Sequence, residues 1–202
     1  MGSGLGNGRT LSAVKRAQII HAGKIVFLGS GFGAASMDLI AATAGVYKMT
    51  VYRHFRSKEL LFAGVINELC QQIIDEDLEK ILLLPPKQAL GNFARKIVAI
   101  LFARETIELH RIVIAESRRF PKLGRLFYQS GPAACIEMLE LYLQRHGRAG
   151  LVRHGPPRRL AEEFLDLIRG YPHLRMLLGI DSRPSPSEMR RRIESAVQHL
   201  IG

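Results

Sequence analysis

Apolar residues recur along this chain at three- and four-residue spacing rather than in strict alternation, and glycine or proline punctuates most runs. The pattern predicts helices and no convincing strand. Val26 and Phe27 complete a first helix that ends at Gly31. Ser36 then offers an N-cap hydroxyl, and Asp38 suits the positive end of the next helix. Leu39, Ile40 and Ala44 give that second helix an apolar side, and Gly45 supplies a left-handed stop. Val46 can plug the angle between two helices. Val51 and Phe55 bury one side of a short third helix, which leaves Tyr47, Lys48, Thr50, Tyr52, Arg53 and His54 outward. Ser57 caps a further helix whose first turn holds Lys58, a position that disfavours a cation unless an anion meets it.

Helical spacing continues to the end of the chain. A helix over residues 58–84 turns acidic at Asp75, Glu76, Asp77 and Glu79 and stops at Pro85 and Pro86. Others cover 88–104, 105–119, 122–146 with an interruption at Gly131 and Pro132, 158–179 and 187–201. Residues 147–157 are a loop. The fold class is therefore all-α with about nine helices, and Pro172 is expected to kink or break the penultimate one by removing an N–H and crowding the preceding turn. Residues 1–10 read as a flexible arm, 11–60 as a helix-turn-helix head and 61–202 as a larger helical domain.

Charge sharpens the picture. The 202 residues are 47% hydrophobic, enough for a sizeable core, and carry a net charge of +11. Residues 1–60 hold +6 of it, opposed only by Asp38 and Glu59. Such an excess attracts polyanions without choosing among DNA, RNA and anionic membrane. No apolar run reaches the roughly 18 residues of a membrane span, and the opening MGSGLGNGR lacks the apolar segment of a signal peptide. A cytoplasmic protein is expected. Cys70 and Cys135 stand far apart in apolar helical stretches, so buried thiols outweigh a disulfide.

An enzyme reading has one foothold, the run Gly29-x-Gly31-x-x-Ala34, which imitates the dinucleotide fingerprint of an NAD(P)-binding oxidoreductase. That fingerprint needs a second buried strand ending in an acid about 20 residues later, and the chain offers the basic TVYRHFRSK instead. The seven histidines form no metal-ligand spacing, and no GxSxG elbow occurs. No catalysis, cofactor or metal is expected.

The ordered set AGV, K, TVYRHF and SKE, with Gly31 ahead of it, is highly specific. Residues 19–62, about a fifth of the chain, resemble the DNA-binding domain of the tetracycline-repressor (TetR) family of bacterial transcriptional regulators. The stretch RIVIAESRRFPKLGRLFYQSGP, residues 111–132, resembles the effector domain of one subgroup. The resemblance implies a three-helix reading head on a larger domain that dimerises and holds a small-molecule effector. The expected function is that of a sequence-specific, ligand-responsive homodimeric repressor on a palindromic operator, with double-stranded DNA and a largely apolar effector as partners. Ser36, Tyr47, Lys48, Thr50, Tyr52, His54 and Lys58 fall on DNA-contacting positions by that resemblance. Tyr47 stands where the family usually has serine and Met49 where a small residue is common, so docking mode transfers and base preference does not.

One recognition helix brings three or four side chains to a groove, each good bidentate contact being worth roughly 1–3 kcal/mol, and two heads are needed against a genome of competitors. Leu160, Phe164, Leu167 and Ile168 with Ile193 and Val197 on the last two helices are the expected dimer interface; their stripes alone would equally suit a core. Phe93, Ile97, Phe127, Met138 and Tyr142 are candidates for the effector pocket, together with Glu116. That carboxylate shares a helix face with Leu109, Ile112 and Val113 and needs a partner, either an arginine of a neighbouring helix or a polar ligand group. Arg190, Arg191 and Arg192 read as a solvated helix face.

Overall fold

The spacing of apolar residues becomes helix throughout the part of the chain described by the computed structural model, residues 4–71, 80–81, 83–148, 152–180 and 183–201. In order these are α1 (Gly4–Ala34), α2 (Met37–Ala44), α3 (Lys48–His54), α4 (Lys58–Gln71), α5 (Pro86–Leu101) and α6 (Arg104–Glu116). They continue as α7 (Pro121–Tyr128), a π-helical turn (Gln129–Ala133), α8 (Ala134–Arg148), α9 (Pro157–Leu177) and α10 (Pro186–Ile201). No strand occurs among the described residues. With Pro121–Arg148 taken as one bent rod, the described helices number nine. The acidic run Asp75, Glu76, Asp77 and Glu79 and the side chain of Cys70 lie outside the described residues.

Local chemistry sets the helix ends. Ser36 Oγ accepts from Leu39 N at 3.1 Å, and Gly45, at φ 63° and ψ 34°, returns its N–H to Ala41 O and Ala42 O. Ser57 Oγ accepts from Leu60 N, and Pro86 and Pro157 each open a helix where a missing N–H costs nothing. Two expectations shift. Helix α1 already begins at Gly4, so the expected arm is helical from that residue. Gly131 and Pro132 do not interrupt the chain; a single widened turn absorbs the proline and the rod runs on.

Two compact units share the chain: Met1–Glu68 with Ile112–Phe127, and Leu69–Arg111 with Tyr128–Gly202. The first holds α1 to most of α4, the end of α6 and nearly all of α7. Its core is aromatic: Phe62 lies 5.1 Å from Phe27 and 5.6 Å from Phe32, edge-on, and Phe32 meets Phe120 at 5.1 Å. Ile19, Ile40, Val51, Phe55 and Leu61 fill the space between α1, α2, α3 and α4. The run that imitates a dinucleotide fingerprint is helix, with a bend at Gly31 (φ 74°, ψ 170°), so the strand that an oxidoreductase would need is replaced by the end of α1.

In the second unit α5, α8, α9 and α10 enclose one core that includes Phe93, Ile97, Leu139, Tyr142, Cys135, Met176 and Leu200. Leu160, Phe164, Ile168, Ile193 and Val197 belong to that same core, each at most 7% exposed, because α5 and α8 cover the apolar faces of the last two helices. The residues expected at a dimer interface thus pack within the protomer's own core. Of the six residues named for it, Leu167 is open, at 39%. The break in α9 also moves: Gly170, at φ 45° and ψ −161°, leaves the helix, and Pro172 sits in the first turn of the segment that follows. Only glycine tolerates that backbone region, and the Arg192 guanidinium occupies the space that a Cβ on residue 170 would need.

Candidate functional site

Recognition chemistry concentrates on α2 and α3. Burial of Val51 and Phe55 fixes the roll of α3 and turns its other side to solvent. Tyr47 is 87% exposed and Met49 76% exposed, an unusual price for two large side chains unless a groove receives them. Lys48 and Tyr52 are also exposed, and Thr50 is half-buried. Lys48 Nζ pairs with the Asp38 carboxylate at 2.8 Å, which raises the lysine pKa; both groups are well solvated, so the pair is weak and a phosphate can displace it. Arg53 and Arg56 are exposed beside these residues, and Arg53 had the outward spacing that marks it as part of the same face. Arg16 stacks over Phe55 at 5.2 Å and adds positive charge.

His54 differs from its neighbours. Its Nε2 is buried with no hydrogen-bond partner among the described residues, and burial, followed by the charges of Arg53, Arg16 and Lys15, holds its pKa below the ordinary histidine value. Ser36 is exposed but its hydroxyl already caps α2.

Lys58 is placed differently from a waiting phosphate ligand. Its Nζ donates to Phe32 O at 2.6 Å, Ala35 O at 2.9 Å and Gly33 O at 3.2 Å, and it lies 4.5 Å from the Phe32 ring centre. The three ammonium protons meet carbonyls of the short stretch that follows the bend at Gly31. Burial lowers the Lys58 pKa, opposed by the charges of Glu59 and Glu116. Glu116 completes the junction: its Oε1 accepts from Gly33 N at 2.9 Å, a separation of 83 residues in sequence. A Cβ on residue 33 would stand 2.8 Å from that oxygen, so glycine admits the carboxylate.

Residues 19–65 match the model described as bacterial regulatory proteins, tetR family, and residues 88–201, more than half of the chain, match that of the AefR-like transcriptional repressor C-terminal domain. The chain belongs to the TetR family. Its curated relatives are HTH-type transcriptional regulators. It is 35% identical over 131 residues to the regulator RutR of Escherichia coli K12, covering 65% of this chain and 50% of RutR. The activator FasR of Mycolicibacterium smegmatis is 38% identical over 60 residues, 30% of this chain and 27% of FasR. The chain thus spans half or less of the length of these two curated relatives. Among solved structures, a TetR-family regulator from Mesorhizobium loti matches with TM-score 0.78 and 30% identity over 93% of this chain and 95% of its own. The flavonoid-responsive regulator FrrA matches with TM-score 0.72 and 36% identity over 92% and 94%.

The residues named for a TetR effector pocket divide between the units. Phe93, Ile97 and Tyr142 are buried in the core of the second, with Met138 packed against it. Glu116 and Phe127 belong to the first, where Glu116 holds the Gly33 amide rather than an arginine. Tyr142 stacks near His146 at 4.2 Å between ring centres, and its hydroxyl is buried without a partner among the described residues; burial raises its pKa. Arg111, absent from the sequence-based set, donates to Leu177 O at 2.8 Å and Met176 O at 2.5 Å and so caps the end of α9. None of the described helices is long and apolar enough to cross a membrane, and no group of three potential metal ligands occurs among the described residues.

Proposed function

We propose that this regulator is a cytoplasmic, effector-responsive homodimeric repressor that reads a palindromic operator through α3. The observation that carries the reading is the solvent-facing set Tyr47, Lys48, Met49, Tyr52 and Arg53 on a helix whose opposite side is locked by Val51 and Phe55. Lys48 and Arg53 supply cations for phosphates and guanine edges, and Tyr47 and Met49 supply apolar surface for thymine methyls. Ser36 adds a backbone contact at the start of α2. Lys58 and His54 act indirectly, one by clamping the end of α1 and the other by supporting α3.

A second copy of the chain is the partner of the outer face of α9. Leu167, Tyr171, Leu174 and Leu178 stand 39%, 77%, 47% and 64% exposed along it. Beside Leu167 a groove of ≈ 320 Å³ is lined by Glu188, Arg191, Arg192 and Ser195 of α10. Exposed apolar side chains on both sides of the Gly170 break, flanked by charges of both signs, suit a self-complementary two-fold contact.

The likeness of residues 88–201 to the AefR-like repressor domain supports repression, and the likeness to FrrA, a flavonoid-responsive regulator, supports a flat aromatic effector for the second unit. An effector that favours a state with mismatched heads lowers operator affinity, and coupling of about 1–3 kcal/mol gives roughly a 5- to 150-fold effect. Selection of bound duplexes from random DNA tests the reading. A palindrome with half-sites about one helical turn apart, or a multiple, is expected. Sequence-blind binding would refute it.

A further inference from the structure

His173 is 6% exposed and lies in the second unit, just beyond the break at Gly170. Its ring meets Phe102 edge-on at 5.8 Å and His110 edge-on at 5.1 Å. Its Nε2 has no hydrogen-bond partner among the described residues. Thr106 stands one turn before His110 on α6, and its Oγ1 is likewise buried without a partner. An unsatisfied buried polar group costs about 1–3 kcal/mol, and a leucine or phenylalanine at either position would avoid that cost. Two such atoms near one pair of aromatic imidazoles mark a place built to meet a polar group that the chain itself does not supply.

Chemistry narrows what that group is. Burial pushes the His173 pKa down to about 4, aided by the charge of Arg169, and His110 behaves alike, through burial, His173 and Arg169. Both rings are therefore neutral at pH 7. Arg169, whose charge acts on both rings, is partly solvated and already matched by the Asp166 carboxylate at 2.6 Å, so it is not held ready for an anion. A buried N–H without an acceptor is rarer than a buried lone pair without a donor, so the His173 proton belongs on Nδ1 and the Nε2 lone pair is open. Phe102, His110 and His173 bring their ring faces and edges together there.

We propose that His173 Nε2 accepts a hydrogen bond from the hydroxyl of an uncharged, flat aromatic effector, with Thr106 Oγ1 as a further polar contact and Phe102 and His110 as walls. The assignment rests on the effector-responsive reading above and specifies its ligand as a phenol-type donor rather than an anion or a pure hydrocarbon. The break at Gly170 lets the segment Tyr171–Leu177 carry His173 as a unit when the ligand seats.

The test uses the full-length protein labelled with ¹⁵N-histidine, with 2-naphthol, the flavanone naringenin and the fully O-methylated ether of each as probes. The hydroxyl probes should move the Nε2 resonance of His173, assigned from its loss in His173→Phe, and the ethers should not. His173→Phe should weaken binding of the hydroxyl probes about tenfold and remove their advantage over the ethers. Thr106→Val, which keeps the side-chain shape, should lower hydroxyl-probe affinity without altering that of the ethers, and it decides the matter if His173→Phe does not fold. Probes that bind with the His173 signals unmoved, equal affinities for phenol and ether, or no binding by any probe would each overturn the proposal. Binding of the wild-type protein to its selected duplex, measured alongside, separates the two levels: its failure sinks the regulator reading, whereas its success with an indifferent His173 sinks the ligand assignment alone.

Discussion

Lys58→Met separates two roles that one lysine could play in a DNA-binding head. Methionine keeps most of the apolar stem over Phe32 and removes the ammonium, so Phe32 O, Gly33 O and Ala35 O lose a shared charged donor. Gly33 O is exposed and rehydrates at little cost, while the other two bonds are partly buried. Hydrogen bonds to a charged group are worth about 1.5–3 kcal/mol each, and partial solvent access discounts both, giving an expected loss of about 2–4 kcal/mol. Loss of the ammonium over the Phe32 ring adds about 0.5–1 kcal/mol at most. Urea denaturation followed by tyrosine fluorescence reads the stability. The salt dependence of duplex binding, measured at temperatures where the variant is folded, reads the phosphate count. If Lys58 serves as a clamp, the midpoint falls and the slope of log K against log salt stays unchanged. A lysine that neutralises a phosphate would reduce that slope by about 0.9. Unchanged stability with the reduced slope would refute the clamp.

Other consequences are equally open to measurement. Gly170→Ala forces a Cβ into a glycine-only backbone region and displaces the Arg192 guanidinium, so a loss of at least about 2 kcal/mol in urea unfolding is expected, and a change within about 0.5 would contradict the geometry. His110 and His173 are held near pKa 4 in the fold against 6.5 in the unfolded chain, so the unfolded chain binds more protons as pH falls. The stability they leave intact above pH 6.5 should therefore decline between pH 6.5 and 4, by at most about 2 kcal/mol per ring at pH 5, and His173→Phe should flatten the decline. Leu174→Asp should weaken the dimer in sedimentation runs while leaving the protomer folded. Phe164→Ala should instead cost about 3–5 kcal/mol of folding stability, and the opposite pattern would reverse the assignment of the two faces of α9.

The reading head was legible because its rules are local. Ser36, Gly45 and Ser57 act within four residues of themselves, and the spacing of Val51 and Phe55 fixes which side of α3 faces out. The rest depended on partners far away in the chain. A stripe such as Leu160, Phe164, Ile168 and Ile193, Val197 announces that it will be buried but not against what, and α5 claims it. Lys58 looks in sequence like an unclaimed cation at a helix start; the carbonyls that claim it lie 23 to 26 residues earlier. Glu116 calls for an arginine and finds a glycine amide 83 residues away. Pro172 correctly signals a break, but the strained backbone falls on Gly170, the nearby residue without a Cβ to clash.

One helix gives these separate facts a common consequence. Arg104–Arg111 of α6 belongs to the second unit and Ile112–Glu116 to the first. Arg111, beside His110, grips the end of α9, and Glu116, five residues on and about 7.5 Å further along the axis, grips Gly33 beside the Lys58 clamp. Each grip is local to its own unit, and hydrogen bonds of this charged kind are worth about 1.5–3 kcal/mol, so one helix carries a polar anchor of that size in each unit.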